Sequence, residues 1–157
     1  MDAEDVVEDD ADDSITPASL VTGLTAPPPP LQLDSNGEFE AWLRSAVQVC
    51  PAYESHSSLL DECCSIVTKW RDRFWPHRAL WARIRRGERL VKELCESAPV
   101  LARVRATAAA LEADGGAKKK MVIIDLCSGF GYLSMFLSEL LAPWADRIEK
   151  IVLVDVK

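Results

Sequence analysis

Long apolar runs and leader-like segments are missing from this chain of 157 residues, although 48% of its residues are hydrophobic. No run of about 18 apolar residues occurs, and the chain does not open on a basic stretch followed by an apolar one. The sequence therefore predicts neither a membrane helix nor a secretory signal. We expect a soluble protein of the cytoplasm or nucleus with no membrane partner.

Metal-binding spacings are absent too. The five cysteines, Cys50, Cys63, Cys64, Cys95 and Cys127, are odd in number and include no C-x-x-C pair. They fit neither a metal clip nor a secreted disulfide framework. The two histidines, His56 and His77, have no partner pattern. The sequence predicts no metal site, and the cysteines are interpreted as small core residues.

The formal net charge of −7 comes from one end of the chain. Residues 1–13 carry eight acids and no base, whereas the remaining residues are close to neutral. A Ser/Thr/Pro stretch and the run "APPPP" follow. This composition predicts a disordered acidic and Pro-rich tail over residues 1–34.

Residues 35–116 are predicted to form a helical region. Ser35 and Glu38 have the spacing of a capping box, and apolar residues then recur at helical intervals up to Pro51. Pro99 suits the first turn of a helix, and glycines at 115 and 116 suit its end. The predicted helices cover residues 35–50, 57–75, 77–96 and 99–114.

Residues 117–157 show a different pattern. "MVIIDL" and "KIVLVDV" are short β-branched runs, typical of strands covered on both faces, and the segment between them is helical in pattern over residues 132–141. Gly129 and Gly131 lie where the first strand passes into the helix. The segment is predicted to be one βαβ unit with a parallel strand pair.

A glycine turn at the carboxyl end of a parallel strand is a typical ligand position. A mononucleotide P-loop is excluded because G-x-x-x-x-G-K-[ST] is absent. A dinucleotide fingerprint would need a third glycine, and Ser134 occupies that position. A βαβ unit without any ligand is the other alternative.

"DLCSGFG" resembles motif I of the class I S-adenosylmethionine-dependent methyltransferases, in which an acid ends the first strand two residues before a (G/C/A)-x-G-x-G loop. Cys127 replaces the first glycine. Asp155 ends the next strand, where the family has an acid that holds the ribose hydroxyls. The resemblance covers residues 122–156 and implies the start of a Rossmann-like methyltransferase domain that binds S-adenosylmethionine through Asp125, Cys127, Ser128, Gly129, Gly131 and Asp155.

The chain stops just after the second strand, whereas a complete nucleotide-binding sheet has about six. The resemblance places substrate-aligning residues after the fourth strand, so no catalytic residue is assigned. We expect a fragment or truncated form of a longer α/β enzyme that shows no methyl transfer by itself.

Eleven bases stand against four acids over residues 69–105, with aromatic residues among them. An ordinary solvated helix face is the favoured interpretation of these arginines. The alternative is a patch that binds RNA phosphates through Arg83, Arg85, Arg86 and Arg89, and RNA is the expected methyl acceptor. A second alternative for the whole protein is a non-catalytic helical RNA- or protein-binding module that retains part of a nucleotide-binding fold.

Overall fold

The computed structural model describes residues 36–86, 89–113, 119–126 and 128–155. The predicted tail at 1–34, the cap at Ser35, the glycines at 115 and 116, and Cys127 lie outside the described residues. The elements are helices α1 Asn36–Gln48, α2 Tyr53–Phe74, α3 Arg78–Arg85 and α4 Arg89–Ala113, strand β1 Met121–Leu126, helix α5 Tyr132–Leu140, a short 3-10 helix Ala142–Arg147, and strand β2 Ile148–Val154.

The predicted strand, helix and parallel strand are confirmed. β1 pairs with β2 in parallel, with Ile123 opposite Ile151 and Leu126 opposite Val154. α5 connects the strands, and the four other α-helices precede them. The described residues therefore form a mixed α/β fold that is mostly helical.

The first helix is confirmed. α2 contains a non-helical residue at His56, with φ −134° and ψ 27°, so its long segment begins at Ser57, where the sequence predicted the helix start, and a short turn from Tyr53 precedes it. The predicted helix over residues 77–96 is wrong. Arg86 has φ −31° and ψ 89°, which ends α3, and the next helix begins at Arg89.

The predicted start of a helix at Pro99 is also wrong, because Pro99 lies inside α4. A proline there removes one backbone hydrogen bond and costs about 3 kcal/mol. Leu94, Ala98 and Leu101 are fully buried around it. Burying a leucine side chain contributes about 1.5 to 3 kcal/mol, so Leu94 and Leu101 together offset that cost.

One hydrophobic core runs through both the helical region and the βαβ unit. Trp70 of α2 lies against Phe136 of α5, with ring centroids 4.8 Å apart. The Trp70 indole Nε1 also donates a hydrogen bond to Glu139 Oε1 at 3.3 Å. Packing of α5 on α2 and α4 is therefore what fixes the position of the glycine turn.

Only one face of the two-stranded sheet is covered. Asp125, on the covered face, is 7% exposed, whereas Ile124 and Leu126 on the other face are 59% and 69% exposed. Parallel sheets usually have both faces covered. In this sheet the outer face is not covered, and it leaves an apolar surface exposed to solvent.

The interpretation of the cysteines as core residues agrees with the structure at Cys63 and Cys64. Both thiols are buried and free. Burial raises the pKa of each to about 12, so both stay neutral at pH 7. Within the described ranges, no helix is long and apolar enough to cross a membrane.

Candidate functional site

The candidate site is the turn that joins β1 to α5. Gly129 and Gly131 have φ values of 52° and 84°, in the left-handed region that glycine adopts without strain. The Gly131 N–H donates to the Ser128 carbonyl at 2.7 Å, which closes a tight turn. Both glycines predicted from the sequence are therefore required by the backbone path of this turn.

Backbone hydrogen bonds attach the turn to the elements on either side. The Ser128 N–H donates to the Val154 carbonyl at the end of β2, at 3.1 Å. The Met135 N–H donates to the Gly131 carbonyl at 2.9 Å and begins α5. The turn is thus held at the carboxyl edge of the sheet, where open α/β sheets bind ligands.

Gly131 is buried and lies close to β2. A Cβ at this position would be 3.0 Å from Leu153 Cδ2. The sequence suggested that glycine is needed here for close approach of a ligand. The structure adds a second reason, because the turn must also approach its own second strand.

Asp125 is buried at the end of β1, and its carboxylate is engaged within the protein. Ser134 Oγ donates to Asp125 Oδ2 at 2.7 Å. Ser134 lies in the first turn of α5, so this bond fixes the helix start relative to the strand. In the sequence, Ser134 stands out only because it occupies the third glycine position of a dinucleotide fingerprint. No sequence pattern predicted its hydrogen bond to Asp125.

Asp155 follows β2 directly and is exposed. Because β1 and β2 run parallel and Leu126 pairs with Val154, Asp155 lies at the same edge as the glycine turn. The structure therefore brings Asp125, Ser128, Gly129, Gly131 and Asp155 to one end of the sheet. Cys127 lies outside the described residues.

The first turn of α5 offers backbone donors at this edge. Gly131 occupies the N-cap position and has no side chain to accept bonds from the first N–H groups. Those groups, together with the positive end of the helix dipole, favour an anionic or polar ligand atom.

The arginines that the sequence grouped together separate into two sets. Arg83, Arg86 and Arg89 line a cavity of about 70 Å³ with Phe130 and Tyr132, next to the glycine turn. Arg85 lies in a different cavity, with Phe39 of α1, Trp75 just after α2 and Trp81 of α3. The four arginines therefore do not form a single surface.

Tyr132 joins α5 to the helix that carries these arginines. Its hydroxyl donates to the Ile84 carbonyl of α3 at 2.5 Å. Burial raises the pKa of this hydroxyl, against the opposing effect of Arg89, so the group keeps its proton and donates at neutral pH. Neither Tyr132 nor Phe130 was predicted from the sequence to be part of the site.

No model of a protein family, no curated protein and no solved structure matches the chain. Among the described residues, no group of three or more histidine, cysteine or acidic side chains is arranged to hold a metal ion.

Proposed function

We propose that this chain carries the cofactor-binding part of an S-adenosylmethionine-dependent methyltransferase with a Rossmann-like sheet. The observation that supports this most is the shared edge of β1 and β2. There the glycine turn and Asp155 stand side by side at the carboxyl ends of two parallel strands. S-adenosylmethionine has an amino-acid end and a ribose. Its binding site therefore needs one group for each end, separated by no more than the length of the cofactor.

Each part of the site has a role suited to this cofactor. The turn leaves room for close approach at the exposed Gly129, and the uncapped start of α5 offers N–H groups to a carboxylate. The Asp155 carboxylate can accept hydrogen bonds from both ribose hydroxyls. Asp125 acts through Ser134, by holding α5 in place beside the turn.

The bound cofactor would supply a methyl group on a positively charged sulfur. The chain's own contribution is to bind and orient that group, because methyl transfer depends mainly on alignment with the acceptor atom. RNA is the proposed acceptor. The exposed arginines beside the turn also favour a second candidate, a non-catalytic RNA-binding module.

Titration calorimetry of the chain with S-adenosylhomocysteine and, separately, with NAD tests the cofactor class. Binding of S-adenosylhomocysteine without NAD is the expected result. Binding of NAD alone would show that the turn serves a dinucleotide. Binding of neither would leave the non-catalytic module as the better description.

Asp155→Ala is expected to weaken S-adenosylhomocysteine binding by roughly ten- to a hundredfold, because two hydrogen bonds to a charged acceptor are lost and water restores part of their energy. Asp155→Asn should lose less, since the amide oxygen still accepts. Asp146→Ala is the control, because Asp146 is an exposed acid in the 3-10 helix before β2. An unchanged affinity in Asp155→Ala would exclude this residue from the ribose site.

A further inference from the structure

Three guanidinium groups meet the glycine turn from the helical region. Arg83 near the end of α3, Arg86 just after it and Arg89 at the start of α4 are all exposed. They line one cavity with Phe130, the central residue of the turn, and Tyr132, the first residue of α5. They lie far apart from the turn in sequence, so only the fold brings them there.

This arrangement is fixed by buried contacts beneath the arginines. Trp81 and Ile84 anchor α3 in the core, at 3% and 2% exposure. The Tyr132 hydroxyl bonds the Ile84 carbonyl, which ties the end of α3 to the start of α5. The end of α3 and the start of α5 are therefore held together by buried contacts. The three arginine side chains above these contacts are exposed to solvent.

The described residues that line this cavity carry three positive charges and no negative charge. Arg89 Nε contacts Glu93 Oε1 at 3.2 Å. No acid in the described part of the chain forms an ion pair with Arg83 or Arg86. Two guanidinium groups are thus available to an anion, and planar guanidinium groups bind phosphate oxygens in pairs.

The size of the cavity limits what can enter it. Its volume is about 70 Å³, whereas pockets for whole small molecules are roughly 300 to 1,000 Å³. One phosphate group fits, and the rest of its ligand must lie outside on the exposed surface. The half-buried Phe130 ring lies beside the cavity, 5.0 Å from the Tyr132 ring and 5.9 Å from the Arg83 guanidinium, and the bases of a single strand stack on the exposed part of such rings.

We propose that Arg83, Arg86 and Arg89 hold one backbone phosphate of a single-stranded nucleic acid acceptor at the entrance to the glycine turn. This inference rests on the proposed methyltransferase function, since it gives the acceptor a position next to the cofactor. The site excludes Arg85, which the sequence grouped with the other three.

Binding of a fluorescein-labelled single-stranded RNA, measured by anisotropy between about 50 and 200 mM salt, tests the site. The triple variant Arg83→Gln, Arg86→Gln, Arg89→Gln is expected to bind roughly ten- to a hundredfold more weakly. The slope of log K against log salt should become less steep by about 0.7, the value for one phosphate contact on a single strand. A triple variant with Arg73, Arg103 and Arg147 changed to Gln carries the same loss of charge away from the cavity and controls for general attraction.

Arg85 and Arg86 supply a sharper comparison, because they are adjacent in sequence and face different cavities. Arg86→Gln should weaken RNA binding roughly three- to tenfold, and Arg85→Gln less than about twofold. Equal effects of the two changes would overturn the site.

Parallel titrations with S-adenosylhomocysteine separate this inference from the proposed function. The triple variant at Arg83, Arg86 and Arg89 is expected to lose affinity for RNA and to keep its affinity for S-adenosylhomocysteine. RNA binding that depends on the three arginines, in a protein that binds no S-adenosylhomocysteine, would sustain the phosphate site while the methyltransferase proposal fails. A triple variant that loses only cofactor affinity would assign the guanidinium groups to the cofactor carboxylate and overturn the site. The site would also be overturned if the wild-type protein binds no RNA, or if it binds a phosphoserine peptide more tightly than RNA.

Discussion

Trp70→Ala is expected to lower the free energy of unfolding by about 3 to 5 kcal/mol, the usual range for removing a large aromatic side chain from a core. Trp70 is 3% exposed and packs on Phe136 of α5. Its loss leaves a cavity between α2 and α5 and removes the bond from the indole to Glu139. Urea unfolding followed by far-UV circular dichroism gives the measurement.

Trp70→Phe is the matched control, because it keeps most of the apolar contact and removes only the bond to Glu139. We expect it to cost about 1 kcal/mol in addition to a small loss of area. A change below about 1 kcal/mol in Trp70→Ala would contradict the packing of α5 on α2.

The same experiment bears on the predicted boundary near residue 116. Because one core runs across that boundary, the wild-type chain is expected to unfold in one transition, with coincident tryptophan fluorescence and circular dichroism curves. Two separate transitions would instead favour independent units at 35–116 and 117–157.

Gly131→Val is expected to lower the free energy of unfolding by about 3 kcal/mol and to remove detectable S-adenosylhomocysteine binding. A β-branched residue at φ 84° is strained, typically by about 1 to 3 kcal/mol. Its Cβ would also crowd Leu153 Cδ2 at 3.0 Å. Thermal unfolding and calorimetry measure the two effects separately.

Gly37→Val provides the control at a second glycine, since a Cβ there meets nothing within 4 Å and the residue lies in α1. It should change stability by less than about 0.5 kcal/mol. Adding Leu153→Ala to Gly131→Val should relieve the crowding and leave the backbone strain. Wild-type stability in Gly131→Val alone would contradict the left-handed turn.

Much of the secondary structure could be predicted because its causes are local. β-branched runs indicated both strands, and the helical pattern between them indicated α5. Gly129 and Gly131 identified the turn, because the backbone needs glycine at both positive φ values. The break between α3 and α4 was not predicted, although the predicted helix over residues 77–96 contains Gly87 and glycine is unfavourable inside a helix.

Pro99 shows why local rules failed within α4. A proline considered alone favours a helix start, and the burial of the residues on either side of it cannot be read from a local pattern. The apolar stripe through Leu94, Ala98 and Leu101 packs as one surface, so tertiary burial outweighs the lost hydrogen bond.

The order of the elements, the glycine turn and the acids at both strand ends could all be predicted, because each depends on residues close together in the chain. The bond between Asp125 and Ser134 could not be predicted, and neither could the meeting of Arg83, Arg86 and Arg89 at Phe130 without Arg85. These relations depend on how α3, α4 and α5 pack around the shared core. Packing is a property of many distant side chains together, and no local pattern encodes it.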